Sequence, residues 1–229
     1  MHRYLRVIVM ICVLSIASIS AAAPGVPGPY LSVFVGSSIF SDTTATNLDL
    51  QNSTAFDEKI KFNPGASFGG TGGYDFGLLR LEGEFSYKGA GIDSIRSVTN
   101  SYGIRNVDGD LGVYAGMVNI FVDLHNDSRI TPYVGGGVGF ATLSLSDTYG
   151  YVVTGSGSHY ELLYPQNDDT VFAYQLGGGV DIALNRYFSL DLGYRYFRTN
   201  DAHFDSNISI SNSLHAEIHN VTAGFKVKF

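Results

Sequence analysis

The amino-acid sequence predicts an all-β chain that closes into an eight-stranded antiparallel up-and-down transmembrane β-barrel behind a cleavable signal peptide. Three observations carry this. The first is a pair of long period-2 segments within residues 170–199, where Phe172, Tyr174, Leu176, Gly178, Val180, Ile182 and Leu184 alternate with Ala173, Gln175, Gly177, Gly179, Asp181 and Ala183. After a break at Asn185-Arg186-Tyr187, Phe188, Leu190, Leu192, Tyr194 and Tyr196 alternate with Ser189, Asp191, Gly193 and Arg195. Such alternation puts one apolar and one polar or small face on each strand, and the short break makes the pair a hairpin. The second is strand length: each is about twice the globular norm, and a tilted membrane-crossing strand takes ~9–11 residues with aromatics at its ends. The third is composition. Hydrophobic residues make 45% and charged ones only 15%, which is lean for a water-exposed surface. The 28 glycines, with 15 Tyr, 15 Phe and no Trp, suit crowded, bending β-strands.

The chain opens with a targeting pattern. Met1 to Arg6 is a positive n-region, residues 7–19 are apolar, and Ser20-Ala21-Ala22-Ala23 is a small-residue cleavage site. The expected organisation is a signal peptide over 1–23 and a barrel over 24–229. The apolar run is short of the ~20 residues of a helical span, and no later stretch is apolar enough for one. The single cysteine, Cys12, lies in the signal, which removes disulfides and cysteine catalysis from the mature chain. The full chain carries −7, and loss of Arg3 and Arg6 leaves 12 basic against 21 acidic side chains, a net of −9. With no basic patch, nucleic acid is excluded as a partner.

The remaining strands follow in order. Residues 30–40 alternate Leu31, Val33, Val35 and Ile39 against Ser32, Gly36 and Ser38, with Phe34 breaking the polarity. Residues 41–61 are polar and read as a loop. Residues 62–76 form a second strand and Gly77 its turn; residues 78–88 set Leu79, Leu81, Phe85 and Tyr87 against Arg80, Glu82, Glu84, Ser86 and Lys88. Residues 89–108 read as a second polar loop. The fourth strand, 111–124, sets Tyr114, Val118, Ile120 and Val122 against Asn119 and Asp123, with Leu111, Val113 and Met117 blurring the pattern. A short turn at 125–131 leads to a fifth strand at 132–145, where Val134, Val138 and Phe140 alternate with Gly135, Gly137, Gly139 and Ala141. Loops at 146–169 and 200–213 bracket the opening hairpin, and the last strand ends at Phe229. Long connections after odd strands and short ones after even strands put all long loops at one rim, as in bacterial outer-membrane barrels.

Alternation leaves the inward face open, since a soluble barrel would bury the apolar one. The loop asymmetry, the aromatic strand ends, and a polar face rich in Gly, Ala and Ser favour the inverted arrangement, because eight strands leave a lumen only wide enough for packed side chains. Charges on that face need partners, as an unpaired buried charge costs several kcal/mol. A lumenal ion network is expected from Asp75, Arg80, Glu82, Glu84, Asp181, Asp191, Arg195 and Lys226. Asp75 and Arg80 flank the Gly77 turn; Asp181, Asp191 and Lys226 sit at a similar height; Glu82, Glu84 and Arg195 sit higher.

Several stretches resemble the small outer-membrane barrels grouped with the OmpA transmembrane domain, the opacity proteins and the bacterial surface antigens. They are Gly65 to Gly70 leading into Leu81 to Tyr87, Met117 to Phe121, Thr131 to Gly139, Phe172 to Val180, and Leu192 to Tyr196. The resemblance implies a non-enzymatic integral protein of the bacterial outer membrane, with outer-membrane lipid and lipopolysaccharide around it and long loops at the cell surface for adhesion, recognition or envelope structure. It also implies that Phe229 is the carboxy-terminal aromatic presented to the barrel assembly machinery. No peptidoglycan-binding domain is expected after the barrel.

Other chemistry is weaker. A narrow porin-like channel is the alternative, and a lipid A-modifying enzyme a more distant one: His159, His203 and the loop serines and aspartates offer ingredients but no catalytic spacing. His215, Glu217 and His219 share one strand face, yet residues four apart on a strand are ~13 Å from each other, too far to close on one ion. No metal or other cofactor is expected. The acids Asp42, Asp49, Asp57, Asp147, Asp168, Asp169, Asp201 and Asp205 read as a solvated negative surface. Asn52-Ser53-Thr54 and Asn220-Val221-Thr222 fit a glycosylation pattern that carries little meaning in a bacterial barrel.

Overall fold

A computed structural model describes residues 27–49, 54–97, 103–124, 128–154, 157–206 and 210–229. The signal segment with Cys12, as well as Asn52 and Ser53, lie outside the described residues. Fifteen strands follow along the described chain: β1 (Gly28–Phe40), β2 (Thr43–Asp49), β3 (Thr54–Phe62), β4 (Gly65–Asp75), β5 (Leu79–Ser97), β6 (Gly103–Asp108), β7 (Asp110–Asp123) and β8 (Ile130–Leu145). They continue as β9 (Thr148–Thr154), β10 (Gly157–Tyr164), β11 (Asn167–Ala183), β12 (Phe188–Thr199), β13 (Ala202–Ser206), β14 (Ile210–Leu214) and β15 (Glu217–Lys228).

Eight of these close the wall. The ring runs β1, β4, β5, β7, β8, β11, β12, β15 and back to β1, each neighbour antiparallel. The seam pairs first strand with last, from Tyr30↔Lys228 to Phe40↔Ile218. Closure removes every free edge from the wall, the one way a sheet can satisfy its backbone groups in hydrocarbon. The short turns use local chemistry: Gly77 takes a positive φ of 99° and donates its N–H to Asp75 Oδ1 at 2.8 Å. Asn185 Oδ1 accepts from the N–H groups of Tyr187 and Phe188 at 2.8 and 2.9 Å, an Asx-type turn.

The long connections depart from expectation. Residues 41–61, 89–108, 146–169 and 200–213 read as irregular polar loops, yet most of their described residues are paired strands. They form a crown in the order β13-β14-β2-β3-β5-β6-β9-β10. The reason is that backbone groups in adjacent hairpins satisfy each other whatever the side-chain polarity. β5 runs on through the rim to Ser97, well past its expected end at Lys88. A bulge lets it do so: Phe62 faces Ile92 while Lys61 faces Ser94, so the extra residue flips parity and both Ile92 and Ile95 turn inward.

The two faces of the wall separate by chemistry. Leu190, Leu192 and Tyr194 of β12 are exposed, while Ser189, Asp191 and Arg195 between them are buried. The same holds around the ring, with Val33, Val35, Leu81, Phe85, Val118, Ile120, Val134, Val138, Leu176 and Val221 on the outside. Aromatic contacts mark both edges of this apolar band. Phe68, Tyr87 and Tyr114 form a row toward the crown, with centroids 5.3 and 4.9 Å apart, and Tyr74–Phe76 and Phe188–Phe225 lie toward the short turns. The inverted arrangement is therefore the observed one.

Leu192 sits halfway along the outward face of β12. Leu192→Arg is expected to destabilise the folded barrel by about 2–4 kcal/mol in bilayers, read by denaturant titration of refolded protein in liposomes.

Candidate functional site

The lumen is the site the wall constructs. Below the β5 bulge each inward residue comes from alternation on the eight wall strands, so its height is set by register. Nearest the short turns, Arg80 on β5 lies 3.4 Å from Asp123 Oδ1 on β7 and 4.0 Å from Asp181 Oδ2 on β11. Its guanidinium also stacks on the Tyr133 and Phe121 rings, 4.6 and 5.0 Å from their centroids. Lys226 Nζ donates to Asp181, and Lys228 Nζ to Asp75 at 2.8 Å. Tyr133 donates its O–H to Asp191 Oδ1 at 3.0 Å.

One storey higher, a single cation serves two carboxylates. Arg195 on β12 reaches Glu84 at 3.1 Å and Glu82 at 3.5 Å. Asn119 Nδ2 donates to both, at 3.2 Å to Glu82 and 3.1 Å to Glu84, and Gln175 Nε2 donates to Glu84 at 2.9 Å and Asn119 Oδ1 at 2.7 Å. Tyr30 completes the set by donating to Glu82 Oε2 at 2.6 Å. These are charge-assisted contacts in a low-dielectric interior, where each is strong but costly to leave half-made.

The upper lumen is hydrocarbon. Leu111, Val113, Ala115 and Met117 of β7 meet Ala141, Leu143 and Leu145 of β8, with Ala173, Phe197 and Ile218 opposite, Phe40 at the end of β1, and Ile60, Ile92 and Ile95 from the crown above. Lys88 marks the boundary, its ammonium 2.7 Å from Ser86 Oγ and 4.4 Å from the Phe197 ring centroid. The sequence pattern treats Leu111, Val113 and Met117 as noise on a polar face. They are instead a dry stopper above the ion network. Phe34 is inward as well, with Arg195 over its ring at 5.3 Å.

All eight residues expected inside lie in the lumen. Arg195, Glu82 and Glu84 converge, and Arg80, Asp181 and Lys226 do too. Asp75 and Arg80 are register partners across the Gly77 turn, but their charged ends part: Asp75 takes Lys228, while Arg80 takes Asp123 and Asp181. The expected network leaves out Tyr30, Tyr133, Gln175 and Lys228, although the alternation already puts Gln175 on the polar face. The available signal was parity, since each lies an even number of residues from an inward charge or glycine on its own strand. At the short-turn mouth the lumen narrows to a cup of about 30 Å³ among Asp75, Asp123, Asp181, Lys226 and Lys228, space for a water or two.

The histidines of the last strand go elsewhere. His215 lies 3.2 Å from Asp201 Oδ1, His219 2.7 Å from the Tyr194 hydroxyl, and Glu217 3.8 Å from Arg198. Among the acids of the long connections, Asp42 sits 3.3 Å from Lys59, and Asp147 accepts from the Gln166 N–H at 2.7 Å.

A closed eight-stranded wall with an inverted exterior finds its counterpart in a family model for the outer membrane protein beta-barrel domain, which matches residues 9–229. The chain belongs to this family. It is a protein of the bacterial outer membrane. An uncharacterized protein of Brucella abortus is 30% identical over 239 residues, a match covering 87% of this chain and 83% of the relative. Among solved structures, OprG of Pseudomonas aeruginosa aligns with a TM-score of 0.55 at 14% identity, covering 90% of this chain and 99% of OprG. The outer membrane protease OmpT of Escherichia coli aligns with a TM-score of 0.50 at 11% identity, covering 87% of this chain and 97% of OmpT. At these identities the structural likenesses speak for the barrel alone.

Arg195 holds two buried carboxylates apart in charge. Arg195→Leu is expected to cost about 3–5 kcal/mol, because it removes the cation that contacts both Glu82 and Glu84. Adding Glu82→Gln and Glu84→Gln to that variant is expected to restore most of the loss, measured by urea unfolding in detergent micelles.

Proposed function

We propose that this outer-membrane barrel is a non-enzymatic, non-conducting scaffold that presents its crown at the cell surface for adhesion, recognition or envelope structure. The observation that carries the reading is the division of the molecule into a filled barrel and a built crown. Lumenal charges are paired across it, and an apolar stopper lies above them, so the interior is filled by the chain's own side chains. The wall strands meanwhile continue as paired hairpins beyond the aromatic row, which supports a rigid surface platform of the kind that carries binding. In outer-membrane barrels the long connections face outside the cell.

Outer-membrane lipid and lipopolysaccharide surround the apolar band in this reading, and the barrel assembly machinery takes the last strand. Phe229 supports the latter, since its side chain is exposed beyond the seam while its N–H donates to Pro29 O at 3.0 Å. Deleting Phe229 is expected to lower the fraction of assembled barrel in cells several-fold, with little effect on refolding of purified chain into detergent. Heat-modifiable migration on gels measures both.

The scaffold reading itself is tested in two assays. Purified protein in planar bilayers is expected to show no steady conductance, and cells whose 148–164 hairpin is replaced by a short turn are expected to keep an assembled barrel and an intact envelope yet lose attachment to surfaces. Steady large currents would favour a channel, and altered lipid A acylation in expressing cells would favour an enzyme.

A further inference from the structure

The crown has two ends where the wall has none. The ladder between β11 and β12 stops at Ala173↔Thr199. Above it the crown order begins at β13 and finishes at β10, with no described strand joining the two. β10 pairs with β9 alone, so between Ser158 and Leu163 every second residue turns its N–H and C=O away from β9, toward no described strand. Residues 157–162 are exposed on both faces. Sheets commonly blunt such an edge with Lys, Pro or a bulge that turns it away. Ser158 to Leu163 contains neither Lys nor Pro, and its pairing with β9 stays in register from Gly157 to Leu162. Six residues of open edge span about 20 Å, enough to take a strand of ordinary length.

The side chains along this edge are suited to recognition. On one face Tyr160 stacks on Tyr149 and packs against Tyr151, with centroids 5.6 and 5.0 Å apart, and Leu162 is the register partner of Tyr149. Tyr151, Tyr160 and Leu162 are all exposed. They do not belong to the interfacial aromatic row. Thr142 is the register partner of Tyr114 in that row, and Tyr151 stands nine residues farther along the same rising chain. Asp108, the register partner of Tyr149 on β6, adds a carboxylate to this face. On the opposite face Glu161 sits 3.0 Å from His159. The whole connection 146–169 carries Asp147, Glu161, Asp168 and Asp169 and no Lys or Arg.

We propose that the free edge of β10 is a docking site for an extended, basic peptide segment of a partner protein, which adds to the crown as a further strand. The backbone edge supplies hydrogen bonds that an extended chain can use. Charge selects the sequence. Lys or Arg at alternate positions of the added strand lies over the Tyr160 ring, and at the positions between meets Glu161. Asp108, Asp147, Asp168 and Asp169 set the sign of the field that draws the segment in. A saccharide would stack on the tyrosine rings and leave the backbone edge unpaired, so the two features together favour a peptide. This names a partner class for the surface role proposed above and rests on that reading, which places the crown outside the cell.

Fluorescence anisotropy of a fluorescein-labelled (Lys-Val)4 peptide, titrated with the mature chain in phosphatidylcholine nanodiscs, tests the site. The wild type is expected to bind it at least tenfold more tightly than (Glu-Val)4, and at least tenfold more tightly than (Lys-Val)4 with N-methylated backbone amides, which keeps the charge but cannot pair as a strand. Tyr160→Lys/Leu162→Lys, which blunts the edge and repels the peptide, is expected to weaken binding at least tenfold, with heat-modifiable migration confirming a folded barrel. Asp42→Lys, which makes the same change of charge beside β2 on the other side of the crown, is expected to keep binding within about twofold. Equal binding of the N-methylated peptide, or undiminished binding by the Tyr160→Lys/Leu162→Lys variant, would overturn the proposal. A dimer of the wild type that this variant splits would assign the edge to a second copy and overturn it too, as would capture of a glycan in place of the peptide. Steady currents in planar bilayers would sink the scaffold reading and leave the peptide result standing.

Discussion

Everything in this molecule depends on the seam where β1 pairs with β15. A sheet in hydrocarbon has no water to satisfy its edges, so an open wall would carry a row of unpaired N–H and C=O groups at several kcal/mol each. Pairing Leu31 with Val227 and Ile39 with His219 removes both edges at once. Once the ring is closed, inside and outside become different solvents, and the period-2 sequence sorts itself between them. Leu31, Val33 and Val35 meet lipid because Tyr30, Ser32 and Phe34 must then face the lumen.

A lumen this narrow must be filled, and it is filled in two chemistries. Toward the short turns, Arg80, Arg195, Lys226 and Lys228 stand among Asp75, Glu82, Glu84, Asp123 and Asp181, bridged by Asn119 and Gln175. Toward the crown, Leu111, Val113, Leu143 and Phe197 exclude water. Space for the large inward groups of β7 comes from the glycines of β8: Gly135 accommodates Phe121, Gly137 accommodates Asn119 and Gly139 accommodates Met117. The mid-strand glycine run is thus a packing device with no relation to phosphate-binding loops. Paired lumenal charges contribute specificity of register more than net stability, since a one-residue slip of β12 would turn Arg195 toward lipid.

The crown shows where local reading stops. Residues 41–61 and 146–169 hold Thr, Asn, Asp, Ser and Tyr in no clean alternation, because neither face of those hairpins is sorted against a single apolar solvent. Their strand character comes from partners distant in sequence: Asp49 pairs with Ile210, and Val152 with Ile104. Long-range pairing of this kind leaves almost no local trace, whereas the lipid-facing strands must repeat the same apolar face over their whole length. The bulge at Asp93 is likewise invisible locally, since Ile95 falls on the outward parity of β5 until Phe62 and Lys61 are laid beside it.

What the sequence determined by itself is the solvent preference of each wall face and the number of wall strands. Those follow from alternation, aromatic ends and connection length, all of which are properties of neighbours along the chain. The parity of Asp75, Arg80, Glu82, Glu84, Asp181, Asp191, Arg195 and Lys226 also placed them on one side of the wall. Only the tertiary structure decided which charge meets which, because partners depend on register and side-chain reach across the lumen: Arg80 passes over its register neighbour Asp75 to reach Asp123 and Asp181. It also decided that Leu111, Val113 and Met117 seal the upper lumen, since height around a closed ring is set by strand register and has no signature in any single strand.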